Sequence, residues 1–257
     1  MGPRSSFADW LLVQLYYAFL EAKKGKCHSE DEYVFEMNLM ENLIKLRDSI
    51  LAKTYKPSRG IAFIIRKPVM REIFAAPFRD RVIHHFLYNM TADWHDRRFS
   101  PDSYSCRLNK GTLYGIERMG YHMRAVSNNC QEEAVIAKFD LRGFFMSIDR
   151  FKLYEKIVAG LNQQYGKKED RAIYDLLRYL WSEVVFDDPT ENVRIRGSSA
   201  DWDDLPPEKS LFTQPPNQGL VIGNLTSQLS SNIYLDSFDR FLRFDLGYMA
   251  RSEEHTV

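Results

Sequence analysis

Two short apolar runs separated by a basic turn constrain the fold of this 257-residue chain most strongly. The runs cover residues 61–65 and 71–76, and the turn at 66–70 contains Arg66, Lys67 and Pro68. Runs rich in β-branched and aromatic residues on either side of a proline-containing turn predict a β-hairpin. We therefore expect an antiparallel strand pair with cations at its tip.

Helical periodicity surrounds this hairpin. Apolar residues lie on one face over 7–24, and Ser29 with Glu32 has the capping-box form that starts a second helix, which runs to about residue 52. Further helices are predicted at 78–95, 112–126, 150–160, 168–183 and 225–245. Residues 135–140 predict a strand that ends in Asp140, and residues 187–217 predict a long acidic, solvated loop. The fold class is therefore α+β with a helix-rich N-terminus.

The formal net charge is zero, but the charges are unevenly distributed. Residues 1–130 contain 20 Lys and Arg against 14 Asp and Glu, whereas residues 131–257 contain 15 against 21. A basic first half predicts a face that binds a polyanion, and an acidic second half predicts a region that handles cations. The three widely spaced cysteines indicate neither a disulfide framework nor a zinc site, and fit a reducing cytoplasm. The apolar stretch 10–20 is too short to span a membrane.

Two motifs contain residues that could bind a metal ion or let a ligand approach the backbone. Asp140 closes an apolar strand, where a carboxylate suits Mg²⁺, although Asp140 could equally cap a turn. Asp149 is expected to cap the following helix. In the run 218–228, Gly219 and Gly223 would let a ligand approach the backbone closely, but an ordinary turn and helix cap explains them equally well.

Two basic motifs suggest contacts with phosphate. Arg66, Lys67 and Arg71 at the hairpin tip could clamp a triphosphate, or could simply be solvated. The runs 77–85 and 103–112 interleave cationic, aromatic and hydroxyl residues in a way that suits a nucleic-acid track. The adjacent histidines at 84 and 85 would point in different directions on a helix, which favours a packing role over metal binding.

In this order and spacing, the four motifs resemble the reverse-transcriptase family over roughly residues 55–248. The resemblance rests on the runs RKPVMREIFAAPFRDRVIHH (66–85), FDLRGFFMSID (139–149) and GLVIGNLTSQLSSNIYLDSFD (219–239). Ile222-Gly223 followed by Ser227-Gln228 is similar to the enzymes of bacterial diversity-generating retroelements, except that Val221 replaces a proline common there.

The resemblance implies a role for each matching residue. Asp140, assisted by the Leu141 carbonyl, would bind two Mg²⁺ ions, with Mn²⁺ as an alternative. Phe145 would be the steric gate that excludes a ribose 2′-hydroxyl. The other residues implied to bind the incoming nucleotide are Lys67, Arg71, Ile222, Gly223 and Gln228. Those implied to bind nucleic acid are Arg79, Arg81, Arg107 and Lys110. The glutamine usual at position 222 is absent, which fits error-prone copying.

The resemblance also implies an organisation and a set of partners. Residues 1–55 would be a helical extension, 56–130 the fingers, and 131–257 a partial palm with 187–217 as an acidic insertion. The Tyr-x-Asp-Asp hairpin and the thumb have no counterpart, so we expect the chain to be inactive alone. The implied enzyme is a cytoplasmic RNA-directed DNA polymerase that uses an RNA template, a DNA or RNA primer and dNTPs, with room for an accessory protein. The alternative is a non-catalytic nucleic-acid-binding remnant on the same scaffold.

Overall fold

A computed structural model describes residues 6–24 and 29–246, and its first part is helical. Helix α1 begins with a capping box, in which the Ser6 hydroxyl accepts a hydrogen bond from the Asp9 amide and the Asp9 carboxylate accepts one from the Ser6 amide. The predicted apolar face of α1 is confirmed, since Leu11, Leu15 and Phe19 are buried. The helices of this part are α1 (Phe7–Lys23), α2 (Glu30–Met37) and α3 (Leu39–Leu51).

The prediction of one continuous helix from 29 to 52 is wrong, because the chain leaves helical geometry at Asn38 (φ −122°, ψ 41°). The side-chain amide of Asn42 donates to the Phe35 carbonyl at 2.8 Å, so this carbonyl near the end of α2 is satisfied without a continuous helix. Ser29 precedes α2 as its cap residue, but its hydroxyl makes no capping hydrogen bond.

The predicted hairpin is confirmed. Strands β1 (Gly60–Ile65) and β2 (Arg71–Ala75) are antiparallel, with Ile61 opposite Ala75 and Ile65 opposite Arg71. A third strand, β3 (Val193–Ile195), pairs in parallel with the other edge of β1, giving the order β2-β1-β3.

Residues 187–217 are mostly exposed and irregular, as their composition predicts, but several of their residues anchor them to the hairpin. Besides contributing β3, this segment binds the buried carboxylate of Glu72 on β2. Glu72 accepts hydrogen bonds from the Trp202 indole at 2.6 Å, the Ser210 hydroxyl at 2.8 Å and the Leu211 amide at 2.6 Å. Charge-assisted bonds of this kind fix the segment onto the hairpin, because a buried carboxylate without donors would be costly.

The remaining helices occur near their predicted positions. The helices are α4 (Phe78–Asp96), α5 (Thr112–Val126), the single turn α6 (Phe144–Ser147), α7 (Arg150–Tyr165), α8 (Arg171–Val185) and α9 (Leu225–Arg240). Helix α8 is preceded by a short 3₁₀ turn, and α9 ends in a π-helical turn at Phe241–Asp245. Helices α1, α3, α4, α7, α8 and α9 enclose the main hydrophobic core, with Trp181, Phe86 and Leu153 among its most buried side chains.

The prediction of a strand at 135–140 is wrong. These residues are irregular and exposed, with Val135 93% and Phe139 85% accessible. A strand is stabilised by hydrogen bonds to a neighbouring strand, and within 6–24 and 29–246 none lies beside this segment. The residues have the apolar character of a strand without the pairing that defines one.

Candidate functional site

The loop at 218–223 lies between two parts of the chain that are distant in sequence. On one side, the Gly219 amide donates to the Ile148 carbonyl and the Leu220 amide donates to the Phe145 carbonyl, both at 2.8 Å. On the other side, the Phe74 amide of β2 donates to the Ile222 carbonyl at 3.2 Å. The loop therefore joins the segment that follows Asp140 to the hairpin.

Glycine is needed at both bends of this loop. Gly219 has φ +88°, and an added Cβ would lie 2.7 Å from a methyl group of Leu211. Gly223 has φ +124°, and its Cβ would lie 3.2 Å from the Phe74 carbonyl oxygen. Residues with side chains rarely adopt these backbone angles, so the close approach of the loop to its neighbours depends on both glycines.

Phe145 lies in the segment to which the loop is bonded, and Ile222 lies in the loop itself. Phe145 is half-buried, packs against the main core and meets Phe144 edge to face, with ring centroids 5.5 Å apart. Ile222 packs on a smaller buried cluster that contains Ala62, Phe74 and Met146. The two side chains predicted to select the nucleotide are therefore each held by packing, on different apolar clusters.

The tip of the hairpin presents cations in two different states. Lys67 is exposed and Arg71 is half-buried, and the described residues provide neither with an ion-pair partner. Arg66 forms ion pairs with Asp201 at 3.0 Å and with Asp204 at 3.2 Å. These hydrogen bonds raise the pKa of Arg66, so its charge is fixed and partly neutralised by the 187–217 segment.

Asp140 lies exposed in the irregular segment before α6, and the Leu141 carbonyl already accepts a hydrogen bond from the Phe144 amide at 3.2 Å. Across 6–24 and 29–246, no group of three or more His, Cys, Asp or Glu side chains could hold a metal ion. Asp140 and Leu141 alone do not fit a two-ion site, which needs several oxygen ligands per ion. Residues 247–257, which follow α9 and contain no counterpart of the Tyr-x-Asp-Asp hairpin, lie outside the described residues.

Two further predictions concern residues around these elements. Asp149 caps α7 as expected, since its carboxylate accepts hydrogen bonds from the Phe151 and Lys152 amides at 2.9 and 3.0 Å. Gln228 is half-buried in the first turns of α9, where its carbonyl accepts a hydrogen bond from Ser231.

The basic residues predicted to contact nucleic acid all have partners within the chain. Arg79 bonds to Asp80 and to the Lys56 carbonyl, and Arg81 donates to the Ala76 carbonyl at 2.9 Å. The amine of Lys110 donates to the Pro101 carbonyl at 3.3 Å, and burial lowers its pKa.

Arg107 differs from these three because it is buried, with 8% of its surface exposed. Its guanidinium binds the Asp96 carboxylate at 2.6 Å and the carbonyls of Ser100 and Ser103. These bonds hold residues 96–107 together, and a nucleic acid would have to displace them to contact Arg107.

A cavity of about 60 Å³ lies beside the loop. It is lined by Asp80, His84, Arg150 and Asp187. Burial lowers the pKa of His84 to about 4, so its ring is neutral, and Nδ1 lies 2.8 Å from the Thr226 hydroxyl. Burial and the nearby Asp80 raise the pKa of Asp187 to about 6. His84 therefore has the packing role that the sequence favours.

Two buried charged residues were not predicted from the sequence. Glu72 holds the 187–217 segment, and Arg150 holds the loop. A weak signal existed for Glu72, because the two-residue period of a strand places it on the same face as the apolar Phe74. For Arg150 no such signal exists, since a cationic residue in the first turn of a helix is usually solvated.

No family model matches the chain, and no curated protein matches it. Solved structures that resemble it include chains of a "Partial Cas6-RT-Cas1--Cas2 complex" and a "Cas6-RT-Cas1--Cas2 complex", each 17% identical with a TM-score of 0.44. Each match covers 93% of this chain but only 35% and 22%, respectively, of the solved chains. None of the helices in the described part of the chain is long and apolar enough to cross a membrane.

Proposed function

We propose that this chain forms the fingers and part of the palm of an RNA-directed DNA polymerase of the diversity-generating-retroelement type. The reaction is transfer of a deoxynucleotide, directed by an RNA template, onto a primer 3′-hydroxyl. One observation supports this most. The loop 218–223 is hydrogen-bonded to Phe145 and Ile148 on one side and to β2 on the other, so three motifs far apart in sequence meet in one place.

The proposed nucleotide site uses side chains from each of these motifs. Lys67 and Arg71 bind the triphosphate, since each can pair with phosphate oxygens. Phe145 excludes a ribonucleotide by contact with its 2′-hydroxyl, and the Ile222–Gly223 backbone lies beside the base, with Gln228 behind it. Arg79, Arg81 and Lys110 contribute cations on the nucleic-acid side, while exchanging the internal hydrogen bonds that they now make.

Such a reaction would need Mg²⁺, to which Asp140 would supply one carboxylate. Phosphoryl transfer by two metals requires more oxygen ligands than Asp140 and Leu141 provide within the described residues. A binding experiment therefore tests the proposal more directly than turnover does.

The experiment uses a primer–template whose primer ends in a 2′,3′-dideoxynucleotide, so that a ternary complex forms without chemistry. The dissociation constant of each dNTP is measured with Mg²⁺ at low salt. We expect the complementary dNTP to bind about tenfold or more tightly than the other three. Lys67→Ala and Arg71→Ala should each weaken binding about three- to tenfold, because a charge-assisted phosphate contact is lost. Lys167→Ala, an exposed cation on another surface, is the matched control.

The outcomes separate the proposal from its alternative. Salt-dependent binding of the primer–template with no preference among dNTPs would favour a non-catalytic nucleic-acid-binding protein. Failure to bind the primer–template at all would refute both. Mg²⁺-dependent extension of an unblocked primer that is lost on Asp140→Ala would show that the chain itself completes a metal site.

A further inference from the structure

Arg150 is the buried cation closest in sequence to the proposed site, and it opens α7 directly after the cap residue Asp149. Only 3% of its surface is exposed. Its Nε donates to the Gly219 carbonyl and its NH1 to the Asp187 carbonyl, at 2.8 and 2.7 Å. A guanidinium is expensive to remove from water unless its N–H groups are bonded, so these two carbonyls largely determine where the side chain lies.

The partner that matters for the proposed site is Gly219. Its amide donates to the Ile148 carbonyl, so both polar groups of this residue are bonded to the stretch 145–150. Two more backbone bonds join the same pieces of chain, from the Arg150 amide to the Asn217 carbonyl and from the Leu220 amide to the Phe145 carbonyl. The Arg150 guanidinium supplies the side-chain bond in this set.

The second partner, the Asp187 carbonyl, belongs to the turn that begins the 187–217 segment. Arg150 thereby joins the loop to that segment as well as to α7. The carboxylates of Asp187 and Asp188 face its charge, which keeps the buried cation electrostatically compensated. Because the Arg150 side chain is buried and bonded to these two carbonyls, it does not itself contact a bound nucleotide.

We propose that Arg150 is a positioning residue that fixes the loop 218–223 against Phe145 through the Gly219 carbonyl, and so determines how tightly a complementary dNTP binds. Three residues after Gly219, the Ile222 carbonyl is bonded to β2, so the loop is held at both ends and a loosened first end shifts the residues that line the base. The inference rests on the proposed function, because it assigns the loop to nucleotide binding.

The test combines hydrogen exchange with the ternary-complex assay described above. Arg150→Met removes both side-chain bonds, and Arg150→Lys keeps the charge but not the planar fork that reaches two carbonyls. Lys152→Met, an exposed change two residues later on the same helix, is the control. Exchange is followed in peptides covering 215–224 and, for comparison, in α1 and α4.

We expect Arg150→Met to accelerate exchange in 215–224 but not in α1 or α4, and to weaken the complementary dNTP about tenfold or more, with Arg150→Lys intermediate. If Arg150→Met unfolds the chain, so that exchange rises everywhere, the Arg150→Lys variant decides the matter by the same two measurements. Unchanged loop exchange and unchanged dNTP affinity would overturn the inference. Faster loop exchange in a chain that shows no preference among dNTPs would instead refute the proposed function and with it the role in nucleotide binding.

Discussion

Neutralising Asp187 should stabilise the protein above pH 6. Asp187 lines the cavity beside the proposed site, and burial is the main cause that raises its pKa from 3.8 to about 6. The carboxylates of Asp80, Asp188 and Glu183 add to this shift, and the Arg150 cation opposes it. Compared with the unfolded state, the folded state therefore favours the protonated Asp187 carboxyl. Asp187→Asn imitates this neutral form at every pH.

The size and sign of the effect follow from proton linkage. A carboxyl whose folded pKa exceeds its unfolded pKa imposes no penalty below about pH 4, and its penalty grows as pH rises to about 6 and then stays constant. A shift from 3.8 to about 6 corresponds to about 3 kcal/mol. Because Asp187 is only partly buried, solvent screening reduces this to about 1–2 kcal/mol.

Urea unfolding of the whole chain at pH 7.5 and pH 4 measures this. At pH 7.5 Asp187→Asn should raise the free energy of unfolding by about 1–2 kcal/mol, and most of this gain should vanish at pH 4. In thermal unfolding at pH 7.5, the same gain corresponds to a midpoint temperature about 2–8 °C higher. Asp188→Asn is the control, since Asp188 already accepts hydrogen bonds from the Thr190 amide and hydroxyl and should gain nothing. A destabilised Asp187→Asn variant, or an equal gain at both pH values, would refute the reasoning.

Three other changes have defined outcomes. Asp204→Asn should strengthen dNTP binding about two- to fivefold at low salt. The Arg66–Asp204 ion pair, worth up to about 1 kcal/mol, competes with the triphosphate for the Arg66 cation at the hairpin tip. Asp203→Asn carries the same charge change without that contact, and equal effects of the two would contradict the prediction. Glu72→Gln should lower the free energy of unfolding by about 1–3 kcal/mol, because three donors lose a charged acceptor; exposed Glu133→Gln is the control, and an unchanged urea midpoint would be evidence against this anchor. Arg107→Met should cost about 2–4 kcal/mol of stability by removing its bonds to the Asp96 carboxylate and to three carbonyls, yet should not change the salt dependence of primer–template binding; a slope reduced by about one would restore Arg107 to the nucleic-acid face.

Elements that depend on a few neighbouring residues could be predicted from the sequence. The hairpin follows from two apolar runs around a proline-containing turn, and α1 and α4 follow from helical periodicity, so their bounds agree closely with the structure. The capping role of Asp149 is also local, since it depends on amides two and three residues away. The residues of the proposed site could be predicted because they belong to motifs that are recognisable in the sequence alone.

Where those elements meet depends on the packing of the whole chain. Residues 135–140 have a strand's composition, but pairing requires a neighbour that composition cannot supply. Residues 187–217 have a loop's composition, yet Trp202, Ser210 and Leu211 bind a glutamate more than a hundred positions earlier. The bond from Arg150 to Gly219 spans 69 positions. Local propensities describe the conformation of a few consecutive residues, whereas buried hydrogen bonds between distant segments form only when the whole chain has packed, because only burial makes an unpaired polar group costly.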